Sequence, residues 1–155
     1  MIKSLVQNWQ TNHNINLYML DAIAPDALQT SAVERGRTVE QMLLHMADVR
    51  NQWLATMAPE LVKSSSAKSS GNAKEKVRAA LEQSAATVQR LIEQIGDPEG
   101  KVKGFKPNLL AFVCYLMAHD AHHRGQILLT LRLGGRRIDS KISYGMWDWS
   151  GRSPK

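Results

Sequence analysis

The chain has 155 residues, 43% of them apolar and 22% charged, a balance that excludes wholesale disorder and suits one domain over residues 1–155. Lys and Arg number 20 against 14 Asp and Glu, a net charge of +6, which permits contact with anionic partners but specifies none. The single cysteine, Cys114, excludes an internal disulfide and a multi-thiolate metal site; no apolar run reaches the ~20 residues of a membrane span, and the N-terminus lacks the apolar stretch of a signal peptide, so the expected setting is the cytoplasm with no membrane partner.

Four helices are expected in chain order. The first runs from about Lys3 to Ile23, with Leu5, Trp9, Leu17 and Leu20 near a 3.6-residue period, and Ala24-Pro25-Asp26 closes it. The second opens at Thr38, where Thr38-Val39-Glu40-Gln41 has the form of a capping box, and runs to Ala58 before Pro59. A Ser-rich stretch, Lys63 to Gly71, reads as an exposed mobile loop. The third helix covers Ala73 to Ile95, with Val77, Leu81, Val88, Leu91 and Ile92 on its apolar face, and Gly96-Asp97-Pro98 ends it. The fourth begins near Pro107-Asn108 and runs to Leu133, stopped by Gly134-Gly135. The remaining residues lack helical period, yet Ile142, Tyr144, Met146, Trp147 and Trp149 are too apolar for a free tail. The expected architecture is an all-α four-helix bundle with a non-helical C-terminal tail packed on it.

The histidines carry the functional argument. His119 and His123 lie four residues apart on the fourth helix, so they stand one turn apart and only about 40° round it. Phe112, Leu116, Ile127 and Thr130 share that face, which makes it the inward one. His45, on the second helix, shares a face with Met42, Val49, Gln52, Trp53 and Thr56 and is expected to point inward too. Three neutral imidazoles converging in a bundle core suit a divalent metal, and three protein ligands leave coordination positions open, the pattern of a catalytic rather than a closed structural site. Asp48, three residues after His45, reads as an outer support, an added ligand or an exposed carboxylate; His122 falls at the edge of the histidine face. On the opposite face Ala111, Cys114, Ala118, Ala121 and Gly125 form a stripe of small residues suited to close helix approach, inside the bundle or across a homodimer, with Cys114 a buried structural thiol.

Basic residues gather at Arg132, Arg136, Arg137 and Lys141, and at Lys63, Lys68, Lys74, Lys76 and Arg78. No recognition motif accompanies them, so a solvated face, not a nucleic-acid partner, is expected.

The motif His119-x-x-x-His123-Arg124-Gly125-Gln126, followed by Leu131-Arg132-x-Gly134, resembles the signature of the last bundle helix in the DinB-like superfamily of metal-binding four-helix bundles. Thr38-Val39 with Leu43-Leu44-His45-Met46-Ala47-Asp48 and Trp53 is similar to that family's second helix, and Trp9 with Asn12 and Asn16 to its first. The resemblance implies metal ligands His45, His119 and His123 and a zinc or nickel ion. It further implies a small-molecule substrate and metal-dependent hydrolysis or S-transfer from a low-molecular-weight thiol such as bacillithiol, mycothiol or glutathione. His122 departs from the pattern, standing where an aromatic is common. The alternative is a non-catalytic, metal-binding dimeric scaffold. Arg124 follows a ligand but points about 100° away from it, as a structural ion-pair partner would.

Overall fold

The computed structural model describes residues 1–63 and 71–155. Its long helices are α1 (Ile2–Ala22), α2 (Val39–Met57), α4 (Ala73–Ile95) and α5 (Leu109–Leu133), with a one-turn α3 (Pro59–Lys63) after α2. Each boundary has a local cause. Thr38 caps α2 through a complete capping box with Gln41, and Asn72 caps α4 in the same way with Glu75. Gly96 terminates α4 with φ of 69°, a left-handed turn that glycine adopts without strain. Gly135, with φ of 72°, ends α5 in the same way, as Arg136 N donates back to the Leu131 carbonyl at 2.7 Å, and Gly134 leaves room for Thr30, whose Cγ2 would stand 2.2 Å from a Cβ there. The Ser-rich stretch expected as a mobile loop lies, for residues 64–70, outside the described residues.

Each of α1 and α2 packs against both α4 and α5, so α1 and α2 occupy one diagonal of the bundle and α4 and α5 the other. The apolar core falls into two clusters. One gathers Ile15, Met19, Leu43, Met46, Leu81, Ile127 and Leu131 at the end nearest the 3₁₀ turn Pro25–Gln29. The second gathers Trp9, Leu54, Val88, Ile92, Phe112 and Leu116 at the opposite end. Between them lies a buried polar layer of Asn12, Asn16, Arg50, Ser84 and Asp120. All four long helices contribute to this layer, and the histidines lie at its level.

The C-terminal tail is not helix-free as expected. It forms α6 (Ser140–Gly145) and α7 (Trp149–Arg152), each started by an aspartate, Asp139 or Asp148, whose carboxylate accepts a backbone N–H. Helices this short carry too few residues to display a period. Both pack on α1: Arg152 lies 3.5 Å over the Tyr18 ring, and Asn14 Nδ2 donates to the Arg152 carbonyl at 2.8 Å. Only part of the tail's apolar content is covered. Met146 is buried, whereas Tyr144 and Trp147 are 78% and 86% exposed. Among the described residues no helix is long and apolar enough to cross a membrane.

Candidate metal centre

The antiparallel seam between α2 and α5 brings His45 against His119 and His123. One ring nitrogen from each lies within 4.8 Å of the others, so the three are positioned to hold one ion. His119 Nε2 and His123 Nε2 are 3.1 Å apart. Two imidazole nitrogens bound tetrahedrally to one zinc ion at ~2.0–2.1 Å would stand ~3.3 Å apart, so the spacing suits a shared ion with little movement. The His45 ring sits 5.4 Å from the His119 ring and 5.0 Å from the His123 ring, the latter edge-on.

The protonation states agree with this use. Burial lowers the pKa of His123 to about 4, with the neighbouring His119 adding to the effect. His119 is lowered as well, chiefly by burial. Both rings are therefore neutral near pH 7 and offer lone pairs, as metal ligation requires. Gln126 Oε1 lies 2.8 Å from His123 Nδ1. A neutral His123 donates from Nδ1 to that carbonyl oxygen, which leaves Nε2 bare and facing its partners. His45 and His119 are half-buried, and His123 is 5% exposed, so the cluster opens to solvent on one side.

Beside it lies an aromatic wall. Tyr115 stacks toward His119 at 6.4 Å, and Trp53 meets Phe105 at 5.5 Å and Tyr115 at 6.0 Å. Phe112, expected on the inward face, is fully buried behind Trp53. Of the face that His45 was expected to share, Met42 is buried but Gln52 and Thr56 are exposed, because α2 is covered on only part of its girth at that level.

The polar layer ties the helices that carry the three histidines. Arg50 Nη2 of α2 donates to Asp120 Oδ2 of α5 at 2.6 Å, with side chains 0% and 1% exposed. Asn12 and Asn16 of α1 donate to the same oxygen at 2.6 and 2.8 Å. Arg50 Nη1 reaches the Leu81 carbonyl and Ser84 Oγ of α4 at 3.3 and 3.1 Å. Arg124 completes the layer by donating to Asn12 Oδ1 and Asn16 Oδ1 at 3.0 and 2.6 Å. Arg124 thus meets the amides that bind Asp120 rather than pairing with a carboxylate as expected.

Arg50 and Asp120 had no role in the sequence reading, although a signal was present. Asp120 falls on the same helical stripe as Leu116 and Ile127, and Arg50 on that of Met46 and Leu54. Two opposite charges inside two apolar stripes imply a buried pair, since neither is stable in the core alone.

Other expectations change with the structure. Asp48 is exposed and makes no hydrogen bond to a histidine among the described residues, which places it on the solvated face. His122 is exposed, its ring 5.1 Å from that of His123. Cys114 is exposed rather than buried, because the small-residue face of α5 turns away from the bundle. Ala118, Ala121 and Gly125 are exposed with it, and Ala111 is half-buried. The stripe therefore does not serve packing within the bundle.

A family model described as the DinB family matches residues 1–147. No curated protein matches the chain.

Proposed function

We propose that this chain, which belongs to the DinB family, binds one divalent metal ion through His45, His119 and His123 and uses it as an enzyme on a small-molecule substrate. The observation that carries the reading is the convergence of three imidazole nitrogens within 4.8 Å from two helices, with no fourth candidate ligand in the group among the described residues. Three ligands leave room for an exogenous molecule, the arrangement of a catalytic site. Zinc or nickel suits an all-imidazole donor set. Such an ion, when bound, lowers the pKa of a water or a low-molecular-weight thiol, which serves hydrolysis or S-transfer near neutral pH.

The chain's own residues divide the remaining work. Gln126 holds His123 in the tautomer that presents Nε2. Tyr115, Trp53 and Phe105 offer an apolar surface against which an uncharged part of a substrate packs. The Arg50–Asp120 pair fixes α2 against α5 and with it the distance from His45 to the other two histidines. The same reading assigns the exposed small-residue face of α5 to a contact between two copies of the chain, where Ala118, Ala121 and Gly125 let a second helix approach closely.

Elemental analysis of the purified protein tests the centre. One equivalent of metal per chain is expected, lost in His119→Ala and in His123→Ala while the helical circular-dichroism spectrum stays. Unchanged metal content in both variants refutes the assignment. Cobalt substitution then separates the two chemistries: a sulfur-to-metal charge-transfer band on adding a thiol supports S-transfer, and its absence at millimolar thiol leaves hydrolysis.

A further inference from the structure

Immediately along the α2–α5 seam from the histidines lies a cleft of about 270 Å³ that the metal reading leaves without a task. Its walls include Gln126 and Thr130 of α5, Met42 of α2 and, before α2, Ser31, Val33, Gly36 and Arg37. Gln126 belongs to both places, since it lines the cleft and bonds His123. Met42 lies one turn before His45 on α2. The cleft and the metal centre are therefore neighbours on one surface.

The segment that roofs the cleft is pinned. Ser31 and Thr38 pair across its base, Val39 N donates to the Thr30 carbonyl at 3.0 Å, Gly36 N to the Val33 carbonyl at 3.0 Å, and Ser31 Oγ to the Val33 carbonyl at 2.7 Å. Arg37 is the only charged residue among those lining the cleft. It is exposed and makes no ion pair among the described residues, whereas Arg136, also at the surface, is paired with Asp26. An arginine at the wall of a concave surface without a carboxylate partner is free to receive one from a ligand, because its planar fork of donors matches a carboxylate.

We propose that Arg37 is the specificity residue of the site and that the substrate is a small molecule bearing a carboxylate, which lies in this cleft while its reacting end reaches the histidines. The inference rests on the metal-centre reading above and adds the substrate class. Scale supports it. Gln126 and Thr130 lie five and nine residues beyond the midpoint of His119 and His123, about 8–14 Å along α5 at 1.5 Å per residue. That separation suits a ligand with about six atoms or more between its reacting group and its carboxylate.

The test uses the cobalt-loaded protein and two probes that differ in one group: suberic acid monohydroxamate, with a free carboxylate, and its terminal amide. The hydroxamate end meets the metal in both, and the visible cobalt bands report binding whichever reaction the protein catalyses. The carboxylate probe is expected to bind about tenfold more tightly than the amide. The difference should fall to near unity in Arg37→Gln, with cobalt affinity unchanged, and persist in Arg35→Gln, which removes the same charge outside the cleft. Equal binding of both probes, or a preference that survives Arg37→Gln, overturns the inference and leaves the metal centre standing. A protein that holds no cobalt, or whose bands respond to neither probe, overturns the metal reading and this inference with it.

Discussion

Replacing Asp120 with asparagine tests how the two halves of the proposed metal centre are held together. The substitution keeps the size of the side chain and one acceptor oxygen for Asn12, Asn16 and Arg50, which all converge on Asp120 Oδ2. It removes the charge. The Arg50 guanidinium, 0% exposed, is then left with the neutral Leu81 carbonyl and Ser84 hydroxyl. Breaking a buried pair from one side costs ~3–5 kcal/mol, a large share of the ~5–15 kcal/mol that holds an ordinary domain folded. Arg50→Met should cost a similar amount, since it strands the carboxylate and removes the cation 5.0 Å from the Trp9 ring. The double variant removes both charges and should cost less than the sum, with a coupling of ~2 kcal/mol or more. Urea unfolding followed by circular dichroism measures all three, with the slope against urea checked for constancy. An Asp120→Asn protein within ~1 kcal/mol of the native chain, together with a coupling near zero, refutes the account of the polar layer.

Three further outcomes are expected. Gln126→Ala should weaken metal binding ~10–100-fold, because it frees the His123 tautomer without removing a ligand; competition with a chromophoric chelator measures it, and an unchanged affinity rejects the role. His13, held at about 4 by burial and secondarily by Arg50, sits below its ordinary 6.5 in the folded chain. The unfolded chain therefore takes up a proton there that the folded chain refuses as pH falls from 6.5 toward 4, so stability is full above that window and declines through it; His13→Gln should flatten the acid side of the melting-temperature profile. In light scattering the native chain should give twice its 17.3 kDa mass, and Ala118→Trp should shift it toward the monomer, whereas a native mass near a single chain rejects the dimer.

Much of the scaffold was legible because its causes are local. The capping residues Thr38 and Asn108, the prolines at 25 and 59 and the glycines at 96 and 135 act within a few residues of themselves. The 3.6-residue period of each long helix is written in its own apolar positions. The His119–His123 pair was equally legible, since a four-residue spacing on a helix fixes the relative placement of two side chains. The third histidine of the group, His45, was open to inference because its inward face followed from the neighbouring apolar residues. The tail's short helices were not legible, as two turns or fewer leave no period to read.

What only the tertiary structure decided is which helices become neighbours and which faces are left bare. Asp120 meets Arg50 across 70 residues of sequence and Asn12 across 108, and no local rule selects those partners among the chain's other charges and amides. The choice follows from desolvation: a carboxylate carried into the core by an apolar stripe must find its donors there, and only the packed arrangement of α1, α2, α4 and α5 supplies them. Cys114 and the small residues around it illustrate the converse. Their spacing says that a helix can approach, but the bundle places its own helices on the other side of α5 and leaves that face exposed. The sequence by itself thus determined the helices, their ends and the histidine pair, while packing determined the third histidine's distance, the buried charge layer and the cleft at Arg37, because these depend on contacts between residues that chain connectivity does not relate.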